Sequence, residues 1–245
     1  MQIMPLSDVR YIVTRLPEDV RILLESEWSI MLSGGYIRSS IAGEKPNDID
    51  LFGPSYEVLK ANASLLGSSR VGSRLHVTQN ALTLLTSNRI PVQFITRWEY
   101  TDPAELLASF DFTIAQALIR FVPTPMGQIG PMSHVGQQVT GNWEGFVGDR
   151  FYRDLAAKRL YYTSPVRDEA AGGSMLRIVK FLKAGYNIQI RSLAAVMARA
   201  IRNIDASCQD EATVRTVLTG VLREVDPLTV IDGLDMIEEH DIEGE

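Results

Sequence analysis

Cysteine, histidine and long apolar runs are scarce in this 245-residue chain, and each scarcity removes a class of function. The single cysteine, Cys208, cannot close an internal disulfide; it fits a reducing, cytoplasmic setting and leaves no cysteine-based zinc site. The three histidines, His76, His134 and His240, are widely spaced, which argues against a histidine metal cluster. No apolar run approaches the roughly 18 residues that a membrane span requires. The N-terminus lacks a basic segment followed by an apolar one, so no signal peptide is expected. An excess of positive charge is also missing. The net charge is −6, and residues 235–245 (DMIEEHDIEGE) carry six acids without a Lys or Arg. Removing those six leaves 24 acids against 24 bases. The body is electroneutral with an acidic C-terminal tail, unlike a strongly basic nucleic-acid binder. Hydrophobic residues make up 45% of the chain, enough for a core of ordinary size.

What is present has a clear order. Residues 6–15 and 17–27 read as helices, the second opened by Pro17-Glu18-Asp19. Trp28 to Leu32 reads as a strand, broken by Gly34-Gly35, and Tyr36 to Ala42 as a short helix. Lys45-Pro46-Asn47 is a turn, Asp48 to Phe52 a second strand, and Ser55 caps a helix running to about Leu66. Strands are expected at 74–79, 80–86 and 90–96, and a helix from Asp102-Pro103 to Ser109. Residues 112–121 suit either helix or strand, and 122–145 reads as a hairpin or loop. Helices are expected at 146–161, 173–185, 191–204, 209–223 and 226–240. The pattern predicts an α+β head over 1–145 and a helical domain with an acidic tail over 146–245.

The informative stretch is Ser33-GGYIRSSIAGEKPNDIDLF. On a strand, residues two apart share a face, so Asp48 and Asp50 would lie side by side with Ile49 turned into the core. Two adjacent carboxylates repel unless a cation lies between them, and they are hard oxygen ligands suited to Mg²⁺ or Mn²⁺. A cation there can bridge triphosphate oxygens during phosphoryl transfer. Gly34-Gly35, between strand and helix, lets the backbone approach a phosphate while the helix N-terminus offers N–H donors. Arg38, on that helix's first turn, could contact phosphate or ribose. A D-x-D triplet or a Gly-Gly pair alone is common surface or turn chemistry. Their combination in this order is what points to a metal-and-triphosphate site.

At Gly34-Gly35-Tyr36-Ile37-Arg38-Ser39 and Asp48-Ile49-Asp50 the chain resembles the bacterial-type CCA-adding enzymes and poly(A) polymerases of the DNA-polymerase-β nucleotidyltransferase superfamily. The resemblance continues through Val92-Gln93-Phe94-Ile95-Thr96-Arg97, Phe110-Asp111-Phe112-Thr113-Ile114-Ala115-Gln116-Ala117-Leu118, Met126-Gly127-Gln128-Ile129, and Ser174-Met175-Leu176-Arg177-Ile178-Val179-Lys180-Phe181. It implies a polymerase-β-like head of mixed sheet and flanking helices followed by a helical, neck-like domain. It implies catalytic, metal-holding Asp48 and Asp50. Ser33, Gly34, Gly35, Arg38, Asp111, Arg177 and Lys180 become nucleotide-binding candidates. It implies an NTP substrate and a hydroxyl acceptor: an RNA 3′ end, a protein or a small molecule. The departures are Ser39 for an aspartate, Gln93 for a glutamate, Phe110 for an arginine, and Gly173-Ser174 for Glu-Asp. They motivate the alternative of a non-catalytic nucleotide- or partner-binding module. Each candidate also has a plainer reading: Asp111 as a helix N-cap, Arg177 and Lys180 as a solvated helix face, and Trp143, Tyr161 and Tyr162 as packing aromatics in place of base-stacking ones.

Overall fold

The computed structural model describes residues 1–124, 140–163, 165, 171–202 and 210–216, without the side chains of 171, 172, 201 and 202. The expected hairpin at Met126-Gly127-Gln128-Ile129, the acidic tail and the helix at 226–240 lie outside the described residues. The chain divides into two units, Met1–Ala157 and Lys158–Glu245.

The first unit is built on one eight-stranded sheet. Its strands are β1 (Gln2–Ile3), β2 (Met31–Ser33), β3 (Ile49–Phe52), β4 (Arg74–Val77), β5 (Ala81–Leu85), β6 (Val92–Ile95), β7 (Ala117–Pro123) and β8 (Gly141–Val147). They run in the order β1-β8-β7-β2-β3-β6-β5-β4. The β3–β6 pair is parallel and the other pairs are antiparallel. The helices are α1 (Leu6–Val13), α2 (Glu18–Ser26), α3 (Gly35–Ala42), α4 (Tyr56–Ser69), α5 (Pro103–Ser109) and α6 (Phe151–Ala156), with a 3₁₀ turn at Thr113–Ala115.

Local chemistry accounts for several of these boundaries. Pro17 precedes α2, with Glu18 and Asp19 in the first turn where the helix dipole favours acids. The Ser55 hydroxyl accepts from Val58 N at 3.3 Å to cap α4, and the Asp102 carboxylate accepts from Ala104 N at 2.9 Å to cap α5. Ile30, Leu32, Ile49, Leu51, Val92 and Phe94 are fully buried and fill the sheet's core.

Three expectations are corrected. Trp28 is exposed and lies outside β2, which starts at Met31, where pairing to β3 and β7 begins. Residues 117–123 are strand, settled by the antiparallel ladder from Ala117–Val147 to Pro123–Gly141, a long-range partner that local pattern cannot reveal. That ladder also places strand where the helix at 146–161 was expected to begin, and only Phe151–Ala156 is helical.

Two polar clusters hold the first unit. Asp154 is wholly buried; it accepts from Thr113 Oγ1 at 2.8 Å and from Arg150 Nε and Nη2 at 2.9 and 3.1 Å. This fixes the 3₁₀ turn that follows Asp111. Tyr152 donates to Asp8 at 2.6 Å, and burial first, then Asp8, pushes its hydroxyl well above the usual phenol range.

The second unit contains α7 (Ala171–Lys183), α8 (Ile190–Arg202) and a short parallel ladder of β9 (Arg159–Leu160) with β10 (Asn187–Ile188). Residues 211–216 are also helical. Leu176, Ile178, Phe181, Tyr186 and Val196 are buried within it. Among the described residues, no helix is long and apolar enough to cross a membrane.

Candidate functional site

The site forms where β2 turns into α3. Gly34 has φ +78° and ψ −130°, a conformation that an L side chain rarely adopts. Its N–H donates to the Ala117 carbonyl at 3.1 Å, which ties the turn to β7. Ser33 is fully buried and its hydroxyl donates to the same carbonyl at 2.6 Å. α3 is anchored from behind: Ile37 is fully buried, and the Tyr36 hydroxyl donates to the Arg15 carbonyl at 2.9 Å. Burial, the main influence on that hydroxyl, raises its pKa. Gly34 carries no side chain to cap α3, and the first-turn N–H groups of Gly35, Tyr36 and Ile37 have no acceptor within the helix.

Both aspartates converge on this turn. A Cβ built on Gly34 would lie 3.5 Å from Asp50 Oδ2, and one built on Gly35 would lie 3.6 Å from Asp48 Oδ1. Ile49 between them is fully buried, while both carboxylates reach the Gly34-Gly35 turn. β3 itself starts at Ile49, one residue later than expected, where Ile49 N donates to the Pro91 carbonyl at 2.9 Å. Asp48 is therefore the last loop residue before the strand. Arg38 is half-buried, with Nη2 3.8 Å from the Gly35 Cβ position and 3.2 Å from the Ser39 hydroxyl.

Sheet register extends the site and brings to it Gln93, the position where the resemblance expects a third carboxylate. Ser33 pairs with Asp50, Asp50 with Gln93, Gln93 with Thr83, and Thr83 with His76. Paired residues point to one face, so these five side chains form a row across the sheet. Gln93 is thus the direct neighbour of Asp50. Phe110 was noted in the sequence only as a departure from arginine. Its ring lies with Cε1 3.6 Å from the Gly34 Cβ position, beside Asp50, and packs edge-on against Phe52 at 5.9 Å.

Asp111 is buried, and the N-cap of the 3₁₀ turn after it is Phe112, not Asp111. Among the described residues no group of three or more His, Cys, Asp or Glu is arranged to hold a metal, so Asp111 does not join Asp48 and Asp50 in such a set. Arg177 and Lys180 lie on α7 of the second unit, Lys180 exposed, and Arg177 Nη2 lies 3.4 Å from the Cβ position of Gly173. Trp143 packs edge-on against Phe121 at 5.3 Å, and Tyr162 is buried while Tyr161 is exposed. A cleft of about 540 Å³ lined by Pro17, Glu18, Asp19, Ile22, Ser69, Arg89 and Ile90 is separate from this site.

Comparison with known proteins places this geometry. Residues 8–123, which include the whole Gly34–Asp50 segment and Gln93, match the family model described as Gabija anti-defense 2 family protein. No curated protein matches the sequence significantly. The Thermotoga maritima CCA-adding enzyme complexed with tRNA superposes with a TM-score of 0.52 at 18% identity, over 93% of this chain and 52% of that one. A CCA-adding enzyme in complex with ATP gives 0.52 at 18%, and one with CTP 0.51 at 17%, with the same coverages. The chain spans about half the length of these solved structures. It shares the fold of these CCA-adding enzymes over that span, a mixed sheet with flanking helices followed by further helices.

Proposed function

We propose that this chain is a metal-dependent nucleotidyltransferase that moves a nucleoside monophosphate from an NTP to a hydroxyl and releases pyrophosphate. One observation carries the reading: the Asp48 and Asp50 carboxylates stand 3.6 and 3.5 Å from the Cβ positions of Gly35 and Gly34, at the N-terminus of α3. Hard carboxylate oxygens over a turn stripped of side chains suit a divalent cation and a triphosphate together. Asp48 and Asp50 would hold Mg²⁺ or Mn²⁺, with the Gln93 amide beside them as a neutral oxygen donor. When bound, that cation neutralises charge on the triphosphate as the leaving group departs. Gly34 and Gly35 admit the phosphates, the first-turn N–H groups donate to them, and Arg38 adds a guanidinium. Ser33 acts here by bracing the turn through Ala117. Arg177, Lys180 and Asp111 are nucleotide-binding candidates through the resemblance alone.

The solved neighbour complexed with tRNA supports an RNA 3′ end as acceptor, whereas the electroneutral body suits a protein or small molecule at least as well. The family match over residues 8–123 favours a role for this chemistry in countering Gabija defence. Gln93 supports a second reading, nucleotide binding without turnover, because an amide replaces a charge next to Asp50.

Thermal unfolding with ATP, CTP, GTP and UTP separates these readings from no function at the site. Binding to the native state alone stabilises by about 2.7 kcal/mol at a hundredfold excess over Kd. At least one NTP should raise Tm, and only with Mg²⁺ or Mn²⁺ present. Stabilisation without pyrophosphate release would favour the second reading. No shift with any NTP would count against both.

A further inference from the structure

Resting on the nucleotidyl-transfer reading, we propose that the acceptor is a phenolic hydroxyl, a tyrosine side chain of a partner protein, packed against Phe110. The first support is the row through Asp50. A hydroxyl must lose its proton to attack phosphorus, and a positioned base normally takes it, worth about 10²–10⁴ in rate. Asp50's neighbours in the row are Ser33, whose hydroxyl donates to the Ala117 carbonyl, and Gln93, an amide. Neither accepts a proton at neutral pH. Asp48 and Asp50 would be taken up with holding the cation. A phenol, with a pKa of about 10, ionises far more readily than a sugar hydroxyl and depends less on a base. It is also neutral on arrival, so it approaches two carboxylates and a triphosphate without the repulsion that a phosphate acceptor would meet.

The second support is Phe110. Its ring edge and the Asp50 carboxylate flank the same point, 3.6 and 3.5 Å from the Gly34 Cβ position. Phe52 braces the ring from behind, as a member of the cluster with Tyr100 and Leu106. An aromatic acceptor stacked or edge-packed on Phe110 carries its hydroxyl toward the Asp50 side of the turn. A charged guanidinium, the residue the resemblance expects there, would serve an anionic chain instead. The step balances simply. The phenol proton leaves to solvent, and the phenolate oxygen bonds the α-phosphorus. The bond from that phosphorus to the α,β-bridging oxygen breaks, and pyrophosphate departs with the electron pair. The product is a tyrosyl–nucleoside monophosphate diester.

The test offers the full chain four α-labelled NTPs with Mn²⁺ and two acceptors in parallel, a tyrosine-containing peptide and a short RNA with a free 3′ hydroxyl. The peptide should take the label at least tenfold faster than the RNA, with a mass increase of one nucleoside monophosphate on tyrosine. Gln93→Glu should raise RNA labelling by about a hundredfold and peptide labelling little. Ligand-observed NMR of N-acetyl-tyrosinamide, with a non-hydrolysable ATP analogue and Mg²⁺, provides a readout apart from turnover. Wild type should bind it and Phe110→Leu, which keeps the apolar packing, should lose most of that binding. Label on RNA but not on the peptide overturns this inference and leaves nucleotidyl transfer standing. Label on neither, in wild type and in Gln93→Glu alike, overturns both.

Discussion

Asp50→Ala should reduce nucleotidyl transfer by at least about a thousandfold, more than the loss of a single preorganised hydrogen-bond donor costs in other enzymes. Asp48→Ala should fall in the same range. The two carboxylates stand over adjacent glycines, and removing either leaves one oxygen ligand group where two face the Gly34-Gly35 turn. The fold should not suffer, because neither aspartate fills the core while Ile49 between them does. Relief of repulsion between like charges should leave Tm unchanged or slightly raised. The check is paired: label transfer from α-labelled NTP, and thermal unfolding of the same preparations. Loss of activity together with loss of structure would assign the pair to stability. Full activity in the double variant would remove the metal role altogether.

Asp19→Ala should produce the largest loss of stability, about 3 kcal/mol, equivalent to a fall in Tm of about 6–12 °C. Arg70 is almost wholly buried, and its Nε and Nη2 donate to Asp19 at 2.8 and 3.1 Å, while Nη1 is buried without a hydrogen-bond partner. Removing Asp19 would strand a buried guanidinium. Arg89, at 2.9 Å from Asp19, is half exposed and can turn to water. The hydrogen bond from Arg70 is the chief cause of a lowered Asp19 pKa, followed by opposing desolvation and then the charge of Arg70. A depressed folded-state value means that this stabilisation is complete above the ordinary carboxylate pKa of about 3.9 and is lost as pH falls through the lower folded value. Denaturation by urea should therefore show wild type converging on Asp19→Ala as pH drops below about 4. A difference that stays constant down to pH 2 would contradict the linkage.

The sequence made the Gly34–Asp50 segment readable because its chemistry is local. Two glycines end a strand, a helix follows, and Ile49 alternates between two acids; no distant residue is needed to see it. The α+β head was legible for the same reason, since capping at Ser55 and Asp102 and the β-rich runs at 74–96 are near-neighbour signals. The parts that were not legible depend on pairing across the chain. Residues 117–123 are apolar enough for either helix or strand, and β8, whose paired residues from Val147 to Gly141 lie far along the chain, decides for strand. Gln93 and Phe110 could be noted as departures, but their positions beside Asp50 and Gly34 come from register and from Phe52 packing. The bond from the Ser33 hydroxyl to the Ala117 carbonyl depends on the same long-range pairing and could not be read locally.

The most direct test of nucleotidyl transfer follows two labels in one reaction. The chain is incubated with Mn²⁺, the tyrosine peptide, the short RNA, and NTP labelled at the α- or the γ-phosphate. Transfer of a nucleoside monophosphate predicts that α-label joins an acceptor while γ-label leaves as pyrophosphate, in equal amounts and only with the divalent cation present. Label from the γ-phosphate on an acceptor, or α-label that never leaves the free nucleotide pool, would contradict the account.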